Sequence, residues 1–245
     1  MPGRSPFPGL SGNALKMIAA ALMVIDHVGL IFFPDNMVFR MIGRPALPIF
    51  AFFIAEGCRY TRSRGRYFLS VFGLGALCQI VYFLASGDTY LNILLTFSLG
   101  ILVIYALQDV KDAFAQLKRP RQVCSLAELV LAVALVWLLN RKLEIDYGFW
   151  GCMLPVWASL LHARGAYWSG VLGKLDNPKI HVLTLMLGLL LTWKTMNHIQ
   201  WYAVFALPLL LCYNGKRGNP RFKYWFYLFY PAHLVLLQGL ALILQ

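Results

Sequence analysis

Two ionisable side chains stand next to each other in a stretch of sequence that is otherwise strongly apolar. Asp26 and His27 occur in LMVIDHVGLIFF, where each costs roughly 2.5 to 3.5 kcal/mol if the segment crosses a membrane. A buried imidazole suits proton transfer because burial favours its uncharged, basic form. Neighbouring helix positions point about 100° apart. We therefore expect His27 to face a cavity and Asp26 to pair with Arg40 or Arg44; a histidine that only links helices is the alternative.

Further ionisable groups lie in two other apolar segments. Arg44 is a candidate anion clamp or carbonyl polariser, and the alternative is that its side chain extends to the membrane surface. Glu56 lies three positions before Arg59, a spacing that fits a structural ion pair as well as a substrate contact. His233, in FYPAHL near the end of the chain, falls at a membrane depth similar to that of His27. The two imidazoles could therefore approach one cavity.

A stripe of small and polar residues recurs at four-residue spacing in the segment after position 90. It consists of Asn92, Thr96 and Gly100. Such a stripe usually packs against another helix, and lining of a cavity is the alternative. Asn92 is kept as a candidate binding residue on the second interpretation.

The remaining histidines and the cysteines are not expected to do chemistry. We expect His162, His181 and His198 to lie at membrane interfaces and to be solvated. The five cysteines are scattered, with no CxxC pair and no Cys/His cluster of metal-ligand spacing. The sequence also lacks a Walker loop and the GxGxxG, GxSxG and HExxH motifs. We therefore expect no metal site, and any chemistry must come from the membrane-buried groups.

The composition requires a membrane to accommodate these residues. Of 245 residues, 60% are hydrophobic and 13% charged, and the mean hydropathy is +0.65. A soluble domain could not bury that much apolar surface, and disorder is excluded for the same reason. The net charge of +12 is spread over many loops instead of one module. This pattern favours anionic membrane lipid over nucleic acid as its partner.

Nine apolar segments are long enough to be considered as membrane spans, although the seventh and eighth are short. We predict an all-α, polytopic integral membrane helix bundle with about nine transmembrane helices. The second segment contains Pro45 and Pro48, so we expect it to be kinked or irregular. The segments are residues 15–33, 38–57, 67–86, 91–107, 127–139, 148–161, 180–193, 199–212 and 224–244.

The basic residues predict the orientation of these segments. A cytoplasmic N-terminus places 17 of the 22 Lys and Arg residues on the cytoplasmic side, as the positive-inside rule requires. Residues 1–12, rich in Pro and Gly, are predicted to be a flexible cytoplasmic tail. Residues 13–245 are predicted to form a single transmembrane helical domain.

Five segments of the chain resemble one protein family, in order and along almost the whole length. The segments are LKMIAAALMVIDHVGLIFFP, RMIGRPALPIFAFFIAEGCRYTRSRGRYF, CQIVYFL, NILLTFSLGIL and KYWFYLFYPAHLVLL. They resemble the TraX family of bacterial inner-membrane proteins, which is linked to N-terminal acetylation of conjugative pilin. The first and last segments also resemble acyltransferase type three enzymes, in which a basic residue precedes a first-helix histidine by eleven positions. Here these residues are Lys16 and His27.

The resemblance implies a multi-pass protein of the bacterial inner membrane that transfers an acetyl group from cytoplasmic acetyl-CoA. The acceptor would be a pilin N-terminus, another protein or a glycan, making the chain an N- or O-acetyltransferase. Carried over to this sequence, it points to His27 with Asp26 as catalytic residues, accompanied by Arg44, Glu56 and His233.

General chemistry adds to that set. Acyl transfer needs a base, a donor for the developing oxyanion, and a site for the anionic carrier. Arg59 and Arg62 are candidate contacts for the phosphates of the carrier. Asn92 and, from the resemblance, Lys16 complete the candidate donor-binding residues. Direct transfer and a route through an acylated histidine both remain open. A proton-coupled transporter and a noncatalytic envelope or pilus assembly protein are the alternative functions.

Overall fold

The computed structural model of the protein describes residues 9–87, 89–117, 119–163, 171–196 and 198–244. In these ranges every regular element is a helix, as the sequence predicted. The helices are α1 (Gly12–Phe32), α2 (Met37–Gly43), α3 (Ala46–Tyr60), α4 (Arg64–Ser86), α5 (Ile93–Ala115), α6 (Arg119–Lys142), α7 (Gly148–Ser159), α8 (Val171–Leu175), α9 (Pro178–Thr195), a 3₁₀ helix (His198–Phe205), α10 (Ala206–Leu211) and α11 (Phe222–Leu244).

Six helical stretches in the described residues are long and apolar enough to cross a membrane. They comprise α1, α2 with α3, α4, α5, α6 and most of α11. The chain is therefore a multi-pass membrane protein by the length and composition of its helices. The other three predicted spans coincide with α7, with α9 and with the 3₁₀ helix followed by α10, which fall short of the same length or hydropathy.

The second predicted span is interrupted where its proline residues begin. Helix α2 ends at Gly43 and α3 begins at Ala46, so Arg44 and Pro45 occupy a turn between them. Proline has no backbone N–H to donate to the preceding turn, and its ring clashes with the earlier carbonyl. The predicted irregularity is confirmed. It leaves α2 as a separate seven-residue helix that packs on α1.

The described chain divides into two compact units. One combines the beginning and end of the chain, Met1–Phe50 with His198–Gln245, and the other is Ala51–Asn197. Most of the predicted flexible tail, residues 1–8, lies outside the described residues. Leu10 is fixed, because its N–H donates to the Cys212 carbonyl over 2.7 Å. The prediction of a single domain over residues 13–245 stays a prediction.

In the first unit, α1 and α11 run parallel to each other. The two helices begin side by side, where the Asn13 N–H donates to the Arg217 carbonyl over 3.0 Å. One turn further, the Lys16 ammonium lies 4.9 Å from the centre of the Phe226 ring. Contacts between α1 and α11 thus appear in the same order along both helices, and they continue to their middle turns. Antiparallel helices would meet in the opposite order.

Two glycines bring α2 close to α1. A Cβ atom at Gly29 would collide with the Phe39 side chain, and one at Gly43 would lie 2.8 Å from the Asp26 Cα atom as well as against its side chain. Backbone atoms cannot move aside as a flexible side chain can. The missing Cβ at Gly43 is therefore what lets the end of α2 reach Asp26.

The second unit is built from helices that alternate in direction. Near one end, the Arg64 guanidinium at the start of α4 donates to Asp109 near the end of α5 over 2.7 Å, and the Lys111 ammonium donates to the Ser159 carbonyl at the end of α7 over 2.9 Å. Near the other end, the Leu91 N–H, just before α5, donates to the Glu144 carbonyl, after α6, over 2.8 Å. Helices α5 and α7 therefore run parallel, with α4 and α6 antiparallel to them.

Replacing Gly43 by alanine should destabilise the protein, although alanine normally favours a helix. The added methyl meets the backbone of α1 at Asp26, and such overpacking costs about 1 to 3 kcal/mol. Gly239 in α11 is a matched control, because no neighbouring atom lies within 4 Å of the position its Cβ would take. Gly239→Ala should be neutral or stabilising by up to about 1 kcal/mol. Thermal unfolding in detergent compares the two variants, and equal effects would contradict the close approach.

Candidate functional site

Asp26 forms the central ion pair of the first unit. Its Oδ2 atom lies 3.1 Å from Arg40 Nη1, and its Oδ1 atom lies 3.3 Å from Arg44 Nη2. The predicted pairing is confirmed, with both arginines. Arg44 is buried at 5% exposure, so its side chain does not extend to the membrane surface. The Asp26 carboxylate therefore lies between two guanidinium groups inside an apolar segment, one from α2 and one from the turn that follows it.

His27 points to a different neighbour from Asp26, as their adjacent positions predicted. Its ring lies edge-on to that of His233, with 5.2 Å between ring centres. His27 Nδ1 lies 2.7 Å from the Met23 carbonyl oxygen, and His233 Nδ1 lies 3.0 Å from that of Phe229. A carbonyl oxygen can only accept, so each Nδ1 must carry a proton. In the neutral state both Nε2 atoms then have a free lone pair, which is the form a general base requires.

The surroundings of His233 hold its ring in place. The Phe229 ring stacks on it at 5.0 Å between centres and an angle of 8°, and the Tyr230 ring approaches at 5.7 Å. His233 is 6% exposed and His27 is partly exposed. The pair therefore combines a fixed, buried imidazole with a more accessible one.

Lys16 shares one face of α1 with His27. Eleven residues correspond to three helical turns, so the two side chains are roughly 20° apart around the axis and about 16 Å apart along it. The Lys16 ammonium lies against the Phe226 ring, seven residues before His233 on α11. Lys16 therefore lies near the beginning of α1 and α11, and the pair of His27 and His233 lies further along the same two helices.

The other predicted donor-binding residues are engaged within the second unit. Asn92 precedes α5, where its Oδ1 accepts from the Leu94 N–H over 3.1 Å and its Nδ2 donates to the Gly75 carbonyl over 2.8 Å. A Cβ atom at Gly100 would come within 2.8 Å of the Pro155 side chain. The stripe is therefore a packing face, and Asn92 caps α5 and joins it to α4.

The arginines expected to contact the phosphates of a carrier are not equally available. Arg59 Nη2 lies 2.6 Å from Asp176 Oδ2, and Arg59 Nη1 lies 3.7 Å from Glu56 Oε1. Arg62 is exposed. A role for Arg62 in binding an acyl donor stays a prediction, while the charge of Arg59 is already compensated by carboxylates.

A second group of ionisable side chains lies where α3 and α7 end and α9 begins. His162 Nε2 lies 3.4 Å from Glu56 Oε1, and His181 Nε2 lies 3.1 Å from Asp176 Oδ1. The two imidazole rings are 4.2 Å apart between centres. His162 and His181 are 3% and 0% exposed. The prediction that both are solvated is wrong, because three helix ends enclose them; only His198 is exposed as expected.

Burial shifts the pKa values of His162 and Asp176 in this second group. It lowers the pKa of His162 well below its ordinary value, and the positive charges of Arg59 and Lys111 lower it further. Burial also raises the pKa of Asp176, although Arg59 opposes that shift. His162 is therefore neutral at physiological pH, with its ring nitrogens able to donate or accept.

Comparison with known proteins identifies the family. A sequence model of the TraX protein family matches residues 11–241. The chain belongs to the TraX family. It is 27% identical over 268 residues to the "Probable fimbrial assembly protein FimC, serogroup H1" of Dichelobacter nodosus, covering 96% of this chain and 97% of that protein. It is 30% identical over 137 residues to an uncharacterized protein of Rickettsia prowazekii (strain Madrid E), covering 56% of this chain and 50% of that protein. No solved structure matches this TraX-family protein.

Replacing Asp26 by asparagine should destabilise this TraX-family protein strongly. It would leave the Arg40 and Arg44 guanidinium groups together without their carboxylate, and breaking a buried pair costs about 3 to 5 kcal/mol. Arg40→Gln should cost about 1 kcal/mol or less, because Arg40 is more exposed and Arg44 would still compensate Asp26. Unfolding in mixed detergent with increasing dodecyl sulfate measures both. An equal loss for the two variants would show that Asp26 does not hold the arginines together.

Proposed function

We propose that this TraX-family protein is an acetyltransferase of the bacterial inner membrane that uses cytoplasmic acetyl-CoA. The acceptor we propose is the N-terminal amine of a pilin-type subunit. Family membership and a relative named as a fimbrial assembly protein support a membrane protein related to pili or conjugation. The proposed chemistry rests on the arrangement of His27 and His233.

The observation that carries the proposal is that two adjacent imidazoles each direct Nδ1 at a backbone carbonyl oxygen. In each ring Nδ1 donates to a backbone carbonyl, so Nε2 of His27 can take a proton from the attacking amine. The amine nitrogen bonds to the thioester carbonyl carbon, the carbon–sulfur bond breaks, and the sulfur leaves as thiolate. The proton held on imidazole then passes to that thiolate. A prior transfer of the acetyl group to a histidine would require the same free Nε2.

Asp26 acts in this proposal as a positioning residue. Its carboxylate binds Arg40 and Arg44, which fixes α2 against the turn of α1 that carries His27. Arg44 therefore supports the site through Asp26, on another face of α1 from the imidazole. Lys16, on the same face of α1 as His27, is the cation we propose for the donor end.

We further propose nine membrane crossings with the N-terminus in the cytoplasm. Parallel α1 and α11 support an odd number of crossings, whereas the six long helices alone would make these two antiparallel. The three shorter segments would supply the missing crossings. Alkaline phosphatase fused after residue 244 should be active, and green fluorescent protein fused there should be dark. A fluorescent fusion would contradict this topology.

Replacing either histidine should abolish acetyl transfer without unfolding the protein. We expect His27→Ala and His233→Ala to lower the rate at least 100-fold, because a positioned general base contributes roughly 10² to 10⁴. The assay is release of CoA thiol from acetyl-CoA by proteoliposomes that contain a pilin subunit, with mass spectrometry of its N-terminus. His198→Ala, at an exposed histidine of the same unit, is the matched control and should retain full activity.

The same histidine variants, tested in proteoliposomes and in cells, separate catalysis from a purely structural role in pilus assembly. If wild-type protein in a folded, monodisperse state releases no CoA with pilin present, the acetyltransferase proposal fails. A scaffold would also predict that both histidine variants still support pilus formation in cells. A catalyst whose product is needed for assembly predicts loss of pili together with loss of the acetyl group.

A further inference from the structure

We propose that Glu56, His162 and His181 bind a divalent transition-metal ion, with zinc as the reference case. Each residue offers one ligand atom, and those atoms all lie within 4.8 Å of one another. All three residues belong to the second unit, whereas His27 and His233 belong to the first. This site does not depend on the acetyltransferase proposal.

The donor atoms are the ones that such an ion prefers. Two imidazole nitrogens and a carboxylate oxygen suit zinc, and the same two-histidine, one-carboxylate set suits iron(II). All three side chains are buried, at 5%, 3% and 0% exposure. Buried ligands are held in place and kept from water, so few rearrangements would precede binding.

The spacing of the donor atoms is close to that of an occupied site. Bonds of about 2.1 Å in tetrahedral geometry place two ligand atoms roughly 3.4 Å apart. His162 Nε2 and Glu56 Oε1 are already separated by 3.4 Å. No separation in the set exceeds 4.8 Å, so binding of an ion would shorten the widest one by up to about 1.4 Å.

Asp176 is placed to complete the site from the segment between α8 and α9. Its Oδ1 atom faces the imidazole pair and lies 3.1 Å from His181 Nε2. Its Oδ2 atom remains bound to Arg59 at 2.6 Å. Either Oδ1 binds the ion as a fourth ligand, or the carboxylate orients His181 in the manner of a carboxylate–histidine–metal arrangement.

The neighbouring cations do not exclude a metal ion. Arg59 is bound by Asp176 and lies 3.7 Å from Glu56. The Lys111 ammonium is directed at backbone carbonyls, those of Ser159 at 2.9 Å and His162 at 3.2 Å. The charges of Glu56 and Asp176 balance those of Arg59 and Lys111. With neutral imidazoles, the net charge of the occupied site would therefore be that of the ion alone, as for a zinc ion held by three histidines.

An ion at this position would join three parts of the chain that are distant in sequence. Glu56 belongs to α3, His162 follows α7, and His181 lies in the first turn of α9. The ion would hold these helix ends together at the end of the second unit that carries Arg59 and Lys111. We therefore assign it a structural role in that unit.

Metal content of the purified protein tests the proposal directly. Full-length protein with a streptavidin-binding tag and no polyhistidine is stripped with a chelator, supplied with zinc sulfate and desalted. We expect about one zinc per chain by elemental mass spectrometry, and a rise in Tm on zinc addition. His162→Ala, His181→Ala and Glu56→Gln should each lower the zinc affinity at least tenfold, since even outer-shell partners contribute 10- to 100-fold. His198→Ala should bind like wild type.

Two spectroscopic measurements on the wild-type protein test the metal site even if a variant fails to fold. X-ray absorption at the zinc edge of the wild-type protein should show imidazole nitrogen in the first shell, and cobalt(II) should give visible absorption of a four-coordinate site. Wild-type protein that retains only a trace of zinc would overturn the proposal. So would zinc uptake that His198→Ala reduces as much as His162→Ala does. Neither readout involves acetyl-CoA, so failure here leaves the acetyltransferase proposal standing.

Discussion

Compensation of a charge inside an apolar helix is the constraint on which the rest of this structure depends. Asp26 lies within a strongly apolar segment, and its charge is neutralised by Arg40 of α2 and by Arg44 of the turn after α2. That arrangement is accompanied by a break at Pro45, a short separate α2, and a glycine at position 43 where α2 meets α1. The break at Pro45 and the close approach at Gly43 together bring both arginines within reach of one carboxylate.

The two histidine pairs meet the same constraint in different ways. His27 and His233 each donate from Nδ1 to a carbonyl four residues earlier in their own helix, and their rings lie edge-on to each other. His162 and His181 instead lie beside carboxylates that also contact Arg59. The first arrangement leaves a free lone pair suited to proton transfer. The second gathers donor atoms around a single point, which suits a bound ion better.

Local chemistry was predictable from the sequence, and contacts between distant segments were not. Pairing of Asp26 with α2 followed from adjacent helix positions diverging and from a short connection between the segments. The depth of His233 matched that of His27, but nothing in the sequence required α1 and α11 to be neighbours. The cluster of Glu56, His162 and His181 was missed because its members are separated by 106 and 19 positions. Hydropathy also cannot tell a helix end in water from one enclosed by other helices.

The first unit joins the two ends of the chain, and this affects how the protein is made. Asp26 meets its arginines as soon as α2 emerges from the ribosome, 14 to 18 residues later. His27 must wait for His233, 206 residues further on, about 10 to 40 s at ordinary translation rates. During that interval His27 lacks the imidazole neighbour that it has in the folded unit. A chain that terminates before residue 233 therefore never acquires the histidine pair.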